Sequence, residues 1–518
     1  MTDRAVRSVA PNPPVRRPGQ RWRRRAPVAG VAAASAALGA GEIVAAVLSA
    51  TASPLLSVGA LVIDLAPPFA KTAVVALFGT GDKPFLVVLL LVVVLGLGAL
   101  AGIAESRRRW TGVALVAFAG VVAVVAAVSR SGASPLDSAP SIAAAAVGAA
   151  VLRRLLITSA GPDPAARRRL LVGAGIWTAL GVAGGAGARL LTSGSRSTAS
   201  AIRSVVLPRP ASTAAPVPAA ASLDVPGLTP LVTANADFYR IDIALVPPAL
   251  DPSDWALEIT GEVERPYRLT WAELTAMPTS ESRTTLMCVS NEVGGTLNGT
   301  AVWQGVPLRE VLARAVPRAG ADMVLSSGAD GFSASTPLSV LQEADRDAVL
   351  AIGMNGRPLP QLHGFPVRMV VPGLYGYVSA TKWLTRLEVT RFDRANAYWT
   401  TRGYSARGPV KVSSRIDVPG AGTRPGSVTV AGVAWAQHTG IARVQLQIDD
   451  GPWRDCVLAE ELSIDVWRQW RYRWTATAGT HVLRVRATDR DGLVQTAKVQ
   501  GEAPDGATGL HTVQLQVM

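Results

Sequence analysis

The sequence is poor in the residues that build disulfide-rich and metal-cluster domains. Its 518 residues include only two cysteines and four histidines. Two cysteines are too few for a multi-disulfide scaffold, a multi-cysteine zinc module or an iron–sulfur cluster. The sequence also lacks a Cys-x-x-Cys-His motif and a Gly-x-Gly-x-x-Gly loop. We therefore expect no haem and no NAD-binding domain of the usual kind.

Charged residues are scarce as well. Asp, Glu, Lys and Arg make up 17% of the chain and hydrophobic residues 49%, whereas average domains carry ~25% charged residues. The high apolar content excludes a disordered chain, and glycine has no period of three, which excludes collagen. The length allows two to four domains.

The formal net charge of +14 is concentrated in the first third of the chain. Residues 1–191 contain 20 Lys and Arg against 7 Asp and Glu, whereas residues 192–518 contain 31 against 30. A nucleic-acid surface requires a basic face on a folded module. The near-neutral remainder supplies none, so we expect no nucleic-acid partner.

The same first third contains the long apolar segments. A membrane span needs ~20 mostly apolar residues to cross ~30 Å of hydrocarbon. The segment 55–79 is the weakest candidate, because it carries Asp64, Pro67, Pro68 and Lys71. The candidate segments are 27–50, 55–79, 84–104, 111–128, 139–157 and 170–191.

The placement of arginines favours five spans over six. If 55–79 does not cross, the arginines of the N-terminal arm, of 107–109 and of 153–169 all face one side, which the positive-inside rule makes the cytoplasm. We predict a basic cytoplasmic arm at 1–26, a transmembrane domain at 27–191 in the lipid bilayer of the cytoplasmic membrane, and an exported remainder. The segment Arg167–Leu171 resembles a twin-arginine export signal, with an ordinary positive-inside anchor as the alternative.

The membrane segments carry no sign of a bound redox group. No histidine precedes His363, and only Met1 precedes Met277. A membrane-embedded b-type haem needs such axial ligands. We expect the transmembrane domain to be an anchor, with a quinone or partner-subunit contact as the alternative.

The exported part divides by composition. Residues 192–222 are rich in Ser, Ala and Pro and predict a linker. Residues 223–404 show strands with short helices and no regular βαβ repeat, which predicts an α+β domain, with Thr270 capping one helix. Residues 405–518 show only alternating strands, which predict a small β-sandwich of immunoglobulin type.

Cys288 ends an apolar strand and precedes a turn containing Ser290, Asn291 and the pair Gly294-Gly295. A lone cysteine is usually a small buried hydrophobe, but this position is also suited to ligating a soft metal. Cys456 has no comparable neighbours and is predicted to be structural. A Cys288–Cys456 disulfide is an alternative in an exported protein.

A second cluster carries donors for an anionic group. His363, Arg368 and Lys382 are separated by Gly/Pro turns and one apolar strand. Donors on such turns suit a polar cofactor that the backbone approaches closely. Taken alone, the stretch fits equally well an arginine paired with a carboxylate beside a capped turn.

Four motifs in order resemble the sulfite oxidase family of molybdenum enzymes. They are Cys288-Val-Ser-Asn291, Trp303-Gln-Gly-Val-Pro-Leu308, His363-Gly-Phe-Pro-Val-Arg-Met-Val-Val-Pro-Gly373 and Lys382-Trp383. The resemblance implies molybdenum held by one pyranopterin dithiolene, with Cys288 as the thiolate ligand. It also implies a C-terminal domain that forms a homodimer. The matching cofactor-binding positions are Asn235, Tyr239, Arg240, Cys288, Ser327, His363, Arg368, Ala380, Thr381 and Lys382.

Two departures from the family pattern bear on the substrate. Sulfite-oxidising members place arginines after the Cys-x-x-Asn motif and after the Val-Pro-Gly-x-x-Gly turn. This chain has Glu292 and Tyr377 there, and we expect both to act in catalysis together with Cys288 and Asn291. An anion beside the metal would repel sulfite, so a neutral S-oxide or N-oxide fits better.

The sequence thus predicts a membrane-anchored oxidoreductase that transfers oxygen atoms outside the cytoplasmic membrane. Because it lacks haem, cluster and dinucleotide motifs, its electrons must pass through a separate carrier, a cytochrome or a quinone-linked protein. A sulfite dehydrogenase is the alternative enzyme. A surface-anchored binding protein without cofactor is the alternative of another class.

Overall fold

The computed structural model describes residues 25–48, 52–66, 77–78, 82–130, 133–158, 164–192 and 195–518. The chain divides into two compact units, Met1–Ser193 and Gly194–Met518. Most of the predicted arm at 1–26 and the end of the weak segment 55–79 lie outside the described residues. Each unit is described separately below.

The described part of the first unit is helical. Ser53 caps the second helix, where its hydroxyl accepts a hydrogen bond from the Leu56 amide at 3.3 Å. Glycines let the helices approach closely: a Cβ on Gly30 would lie 1.9 Å from the Gly98 carbonyl oxygen. The helices are α1 Ala26–Leu48, α2 Pro54–Leu65, α3 Asp82–Arg107, α4 Thr111–Val128, α5 Ala139–Thr158 and α6 Pro164–Thr192.

Five helices in the described residues are long and apolar enough to cross a bilayer, judged by length and composition. They correspond to the five predicted spans. The sixth, α2, has 12 residues, and at 1.5 Å rise per residue it is too short for ~30 Å of hydrocarbon. Pro54 starts α2, which ends at Leu65. Pro67 follows Ala66 in the sequence, and a residue that precedes proline disfavours the helical conformation, which accounts for the end of α2.

The second unit begins with the helix α7, Ser195–Ser204, and a segment that follows the surface of the next domain. The Ala211 amide donates to the Thr279 carbonyl at 2.8 Å, and the Pro208 carbonyl accepts from Gln304 Nε2 at 2.6 Å. The stretch predicted to be a linker is therefore partly helical and partly attached to the domain. Backbone hydrogen bonds hold it, and the apolar side chains of Ile202, Val205 and Leu207 pack against the domain core.

The region predicted to be an α+β domain contains two sheets joined by short helices. In one sheet the strand order is β2-β1-β10-β5-β6, with β1 and β10 parallel; in the other it is β3-β4-β7-β8, with β9 on β7. The strands are β1 Ala256–Gly261, β2 Tyr267–Thr270, β3 Ser280–Met287, β4 Asn298–Pro307, β5 Met323–Gly328, β6 Ser333–Pro337, β7 Val349–Met354, β8 Arg357–Pro358, β9 Arg368–Val370 and β10 Leu384–Thr390.

Short helices join these strands: α8 Trp271–Ala276, α9 Leu308–Ala315, α10 Leu338–Gln342 and α11 Gly376–Ser379. The predicted cap of α8 is confirmed. The Thr270 hydroxyl accepts from the Glu273 amide at 3.3 Å, and the Glu273 carboxylate accepts from the Thr270 amide at 2.8 Å. This reciprocal pair is a capping box.

The C-terminal region has two four-stranded antiparallel sheets around a shared apolar core, β11-β12-β16-β15 and β14-β13-β17-β18. An immunoglobulin-type arrangement stays a prediction. The strands are β11 Ser413–Val418, β12 Gly426–Trp435, β13 Ile441–Ile448, β14 Arg454–Asp455, β15 Val457–Leu458, β16 Arg468–Ala476, β17 Gly479–Asp489 and β18 His511–Val517.

The C-terminal region also packs into the α+β domain. Trp435 and Trp467 are buried in the core of that domain. The Trp467 amide donates to the Thr285 hydroxyl at 2.9 Å, and the Thr285 amide donates to the Asp465 carbonyl at 2.9 Å. Because Thr285 lies on β3, the C-terminal region fixes the strand that leads to Cys288.

Candidate active site

Cys288 is the first residue after β3 and begins a tight turn. Its amide donates to the Leu297 carbonyl at 2.9 Å. The Asn291 side chain holds the turn, since its Oδ1 accepts from the Leu297 amide at 2.7 Å. Buried Asn291 therefore shapes the turn and is not among the residues that line the adjoining cavity.

The Cys288 thiol is free and faces a cavity. Burial raises its pKa, and hydrogen bonds from Ser290 oppose that rise. Without a metal the sulfur is therefore held as the neutral thiol. A soft metal ion would displace this proton, because the thiolate is the ligating form.

His363, Arg368 and Lys382 line the same cavity. Burial lowers the pKa of His363 to about 4, and nearby Arg368 adds to the effect, so the imidazole is neutral at pH 7. The ring nitrogen Nε2 lies 3.0 Å from the Asn235 carbonyl oxygen. A carbonyl only accepts, so Nε2 carries the proton.

Arg368 and Lys382 are buried cations. Burial lowers the pKa of Arg368 to about 10 and that of Lys382 to about 8. Arg368 Nη1 donates to the His363 carbonyl at 3.2 Å. Lys382 Nζ donates to Asp242 Oδ2 at 2.8 Å and to the Leu362 carbonyl at 3.2 Å. Both keep their charge at pH 7, and protein oxygens compensate for the lost water.

The Asn235–Arg240 segment closes the cavity beside these cations. Tyr239 lines it, and burial raises the pKa of its phenol, with the Cys288 charge adding to the effect. Arg240 points to Asp242, with Nε 2.9 Å from Oδ2. Asn235 Oδ1 accepts from Asn355 Nδ2 at 2.7 Å. Asn235 thus orients His363 through its backbone and holds the segment through its side chain.

The structure brings together seven of the sequence-predicted site residues and sets the others apart. The seven line the cavity, while Asn235, Arg240, Asn291 and Thr381 are not part of the lining. Glu292 is exposed on the turn, and Ser327 on β5 is not part of the lining. Ser326, one residue earlier, hydrogen-bonds the buried Thr381 hydroxyl at 2.7 Å. The seven lining residues are Tyr239, Cys288, His363, Arg368, Tyr377, Ala380 and Lys382.

Glu292 therefore does not place an anion inside the cavity. The turn that Asn291 closes brings the sulfur of Cys288 inward and leaves the side chain of Glu292 in solvent. An exposed carboxylate is screened by water and salt. The predicted repulsion of sulfite by this residue finds no support in its position.

Sequence reasoning missed several lining residues, most of them aromatic or acidic. Tyr404 hydrogen-bonds Ser290 and is affected by the charge of Cys288, and burial raises the pKa of its phenol. Burial also raises the pKa of Asp330 to about 6. No local motif marks these positions, because they come from distant parts of the chain. The missed lining residues include Phe238, Asp242, Asp330, Phe332, Trp399 and Tyr404.

Comparison with known proteins identifies the domain that contains this cavity. Residues 244–399 match the family described as "Oxidoreductase molybdopterin binding domain". Mitochondrial sulfite oxidase of Mus musculus is 30% identical over 314 residues, which are 51% of this chain and 57% of that protein. Sulfite oxidase of Gallus gallus is 30% identical over 304 residues, 49% of this chain and 65% of that protein.

A nitrate reductase and a solved sulfane dehydrogenase structure also match this chain. NADH nitrate reductase 2 of Phaseolus vulgaris is 33% identical over 177 residues, 29% of this chain and 20% of that protein. The solved structure of sulfane dehydrogenase SoxCD from Paracoccus pantotrophus is 22% identical, with a TM-score of 0.49, and covers 55% of this chain and 82% of that chain. The chain spans less than two thirds of the three curated relatives.

The matched domain implies a Mo-molybdopterin cofactor, and the cavity suits it. A free thiol can ligate molybdenum, and Arg368 and Lys382 are the kind of donors that bind a phosphate group. Gly364, at φ +107°, allows the close packing of this wall: a Cβ there would lie 3.0 Å from the Lys382 side chain. With this fit, residues 244–399 form a domain of the molybdopterin-binding oxidoreductase family, and the chain is similar to the sulfite oxidases, which are enzymes.

Proposed function

We propose that the chain is a membrane-anchored molybdenum-cofactor oxidoreductase that reduces a small or protein-borne S-oxide or N-oxide. The observation that carries this proposal is the Cys288 thiol, free at the wall of a cavity that also contains His363, Arg368 and Lys382. A thiol beside cations and a neutral imidazole provides a metal ligand and an anion-binding wall in one place.

The cofactor would be held by residues on two sides of the cavity. Cys288 would bind molybdenum, and Lys382 and Arg368 would bind the pterin phosphate with Thr381 and Ala380 beside them. Tyr239, His363 and the segment of Asn235 and Arg240 would line the pterin; Ser327 is a weaker candidate because it is not in the lining. When bound, the molybdenum centre would supply two-electron oxygen-atom transfer.

The proposed reaction takes its two electrons from an external donor. The sulfur–oxygen or nitrogen–oxygen bond breaks, two electrons and two protons are taken up, and the products are a thioether or an amine together with water. The protein's part is to bind and orient the oxide. The Tyr404 phenol, whose pKa is raised by burial, keeps its proton at neutral pH and can donate a hydrogen bond to the oxide oxygen.

The composition of the cavity wall favours an uncharged substrate. Phe238, Phe332, Tyr377, Trp399 and Tyr404 form much of the lining. The Tyr377 and Tyr404 ring centroids are 5.7 Å apart, and those of Trp399 and Tyr404 are 5.2 Å apart. Aromatic faces bind apolar substituents well and do not replace the hydration of a dianion.

The cations of the lining do not change this preference. Lys382 is paired with Asp242 at 2.8 Å, and Arg368 donates to backbone carbonyls. Both lie on the wall assigned to the pterin phosphate. A substrate that binds against the aromatic side chains would therefore not be held by the charge of Arg368 or Lys382.

We place the catalytic domain outside the cytoplasmic membrane. Five described helices have the length and composition of spans, and most basic residues of the first third fall on the side predicted to be cytoplasmic. Electrons would come from a separate cytochrome or quinone-linked carrier. A homodimer through the C-terminal region is a further expectation.

A sulfite dehydrogenase is the second candidate, supported by the 30% identity to sulfite oxidases of Mus musculus and Gallus gallus. In that reaction sulfite gains the oxygen of water, and two electrons and two protons are released to the carrier. A binding protein without cofactor is disfavoured, because Cys288, Arg368 and Lys382 all line one cavity.

The test uses the full-length protein matured with molybdenum and solubilised in detergent. We expect about one molybdenum and one pterin per chain by mass spectrometry and fluorescence. With a reduced artificial electron carrier it should reduce methionine sulfoxide or an aliphatic N-oxide. Nitrate and, with an oxidised carrier, sulfite are the comparison substrates. Metal-free matured protein would contradict the proposal, and turnover of sulfite alone would favour the second candidate.

A further inference from the structure

The turn that carries Cys288 is held by the C-terminal region as well as by its own hydrogen bonds. Arg415 lies on β11 and is buried, with 6% of its surface exposed. Its Nη1 donates to the Gly295 carbonyl at 2.7 Å and to Asn298 Oδ1 at 3.2 Å. Gly295 belongs to the turn that follows Cys288, and Asn298 begins β4. One guanidinium nitrogen therefore ties the turn to the start of the next strand.

The acceptor Asn298 is linked closely to the position of Cys288. In the antiparallel pair of β3 and β4, Asn298 is opposite Met287, the residue before Cys288. Leu297, the residue before Asn298, accepts from the Cys288 amide at 2.9 Å and donates its own amide to Asn291 Oδ1 at 2.7 Å. A displacement of Asn298 would therefore reach Cys288 through the strand pairing and through Leu297.

The other nitrogens of Arg415 fix the plane of its guanidinium. Nε donates to Asp417 Oδ1 at 2.6 Å, and Nη2 donates to the Thr229 hydroxyl at 2.8 Å. The Thr229 amide in turn donates to the second Asp417 oxygen at 3.1 Å. A guanidinium presents its N–H groups in a rigid planar fork, so these partners also set the direction in which Nη1 points. A lysine ammonium at this position could not reproduce that geometry.

A second side chain of the C-terminal region contacts the same turn. His511 on β18 accepts a hydrogen bond through Nδ1 from the Ile416 amide at 2.9 Å. Ile416 directly follows Arg415 on β11. Gly294, at φ +80°, lies against the His511 ring, and a Cβ on this glycine would clash with the imidazole. The turn is therefore fitted against two neighbouring strands of the C-terminal region.

We propose that Arg415 is a positioning residue, which fixes the sulfur of Cys288 for metal ligation by holding the turn that follows it. The inference rests on the proposed function, in which Cys288 binds molybdenum. Arg415 is not among the residues that line the cavity, and its charge is paired with Asp417, so it acts through the turn. Mutation of groups that orient a metal ligand typically lowers metal affinity or activity about 10- to 100-fold. The C-terminal region thus supports the metal site without supplying a ligand.

The test compares variants of Arg415 with a matched arginine in the full-length protein. Arg415→Met/Asp417→Asn removes both members of the buried ion pair, so that neither charge is left unpaired. Arg415→Lys keeps a charge beside Asp417 but loses the planar fork. The control is Arg468→Met, because Arg468 donates at 2.8 Å to the carbonyls of Ala459 and Ile441, all within the C-terminal region. Tm and molybdenum content are measured for every variant.

Two measurements report the position of the sulfur. In protein prepared without molybdenum and carrying Cys456→Ser, a thiol reagent should label Cys288 at least about tenfold faster in both Arg415 variants, because the turn opens more readily. In molybdenum-loaded protein, the electron paramagnetic resonance signal of Mo(V) should change in shape. The kcat for methionine sulfoxide should fall about tenfold, with KM changed less than about twofold. Arg468→Met should match the wild type in each measurement.

A wild-type labelling rate and an unchanged Mo(V) signal in the double variant would overturn the inference, and Arg415→Lys gives the same comparison if the double variant does not fold. Equally fast labelling in Arg468→Met would also overturn it, because it would indicate general destabilisation. The two proposals fail separately. If the wild type binds no molybdenum, the proposed function is wrong, while faster labelling would still show that Arg415 holds the Cys288 turn. If the wild type reduces methionine sulfoxide and labelling is unchanged, only the role of Arg415 is wrong.

Discussion

The regions around the two cysteines differ in what lies beside an otherwise similar thiol. Both thiols are free, and burial raises the pKa of each, that of Cys456 to about 12. Cys456 lies between β14 and β15, packs against the sandwich core and donates its amide to the Val444 carbonyl at 2.9 Å. Cys288 faces a cavity with an imidazole and two buried cations. Burial alone therefore does not distinguish a ligand from a structural thiol.

The difference lies in the polar groups that converge on the sulfur. The Cys288 turn is closed by Asn291, and Ser290 hydrogen-bonds the sulfur. The neighbours of Cys456 are strand backbone and the exposed Asp455, whose charge disfavours a thiolate. A metal thiolate needs compensating donors around it. Cys288 has Ser290 and two cations in the same cavity, whereas Cys456 has a backbone donor from Leu446 and the opposing charge of Asp455.

The largest expected effect is on metal binding. In Cys288→Ser the molybdenum content should fall at least about tenfold, because a serine hydroxyl is a poor ligand for a soft metal site. Cys456→Ser should retain wild-type molybdenum, with only a small fall in Tm. Metal content by mass spectrometry and Tm by fluorescence check both variants. Equal metal loss in the two variants would remove the distinction between the regions.

The next effect concerns the cation wall of the Cys288 region. Lys382→Met keeps the apolar stem but removes the charge, and we expect cofactor affinity to fall about ten- to a hundredfold, since a charged hydrogen bond contributes ~1.5–3 kcal/mol. Lys498→Met, at an exposed lysine of the C-terminal region, is the matched control. Bound pterin is measured by fluorescence after release.

Lys382→Met also removes a partner of the buried Asp242 carboxylate. The double variant Lys382→Met/Asp242→Asn separates misfolding from lost phosphate binding. If it folds with wild-type Tm and binds the cofactor normally, Lys382 does not bind the phosphate.

Local sequence patterns predicted much of the fold. The alternating runs after residue 405 correspond to β12, β13, β16, β17 and β18, and the Thr270 cap and the turn after Cys288 are where the sequence places them. These features depend on neighbours within a few residues, which periodicity and capping rules describe well. The family motifs then predicted three of the residues that line the cavity, His363, Arg368 and Lys382.

The rest of the site could not be predicted, because its parts come from distant segments. Asp242, Asp330 and Tyr404 lie far apart in the chain and meet at the cavity only through tertiary packing. Conversely, Glu292 is adjacent to the Cys288 motif but exposed, because a tight turn sends successive side chains in different directions.

The smallest expected effect is a pH dependence confined to the Cys288 region. The Lys382 pKa is about 8, lowered by burial. A bound phosphate would favour the charged ammonium form of Lys382. With the cofactor bound, Lys382 therefore keeps its proton, whereas in the empty site it loses this proton as the pH rises above 8. Cofactor affinity should therefore decrease from pH 8 to pH 9.5 by about tenfold per unit at most.

Lys382→Arg should flatten this profile, because a guanidinium stays charged over that range. The measurement is the pterin retained after equilibration at each pH, with tryptophan fluorescence as a control for unfolding of the sandwich. A decrease that persists unchanged in Lys382→Arg would assign the titration to another group. A flat profile in the wild type would show that the phosphate is held chiefly by Arg368, whose pKa of about 10 lies above the range tested. In either case the fold of the region around Cys456, which has no such cation wall, should not change over this pH range, as judged by tryptophan fluorescence.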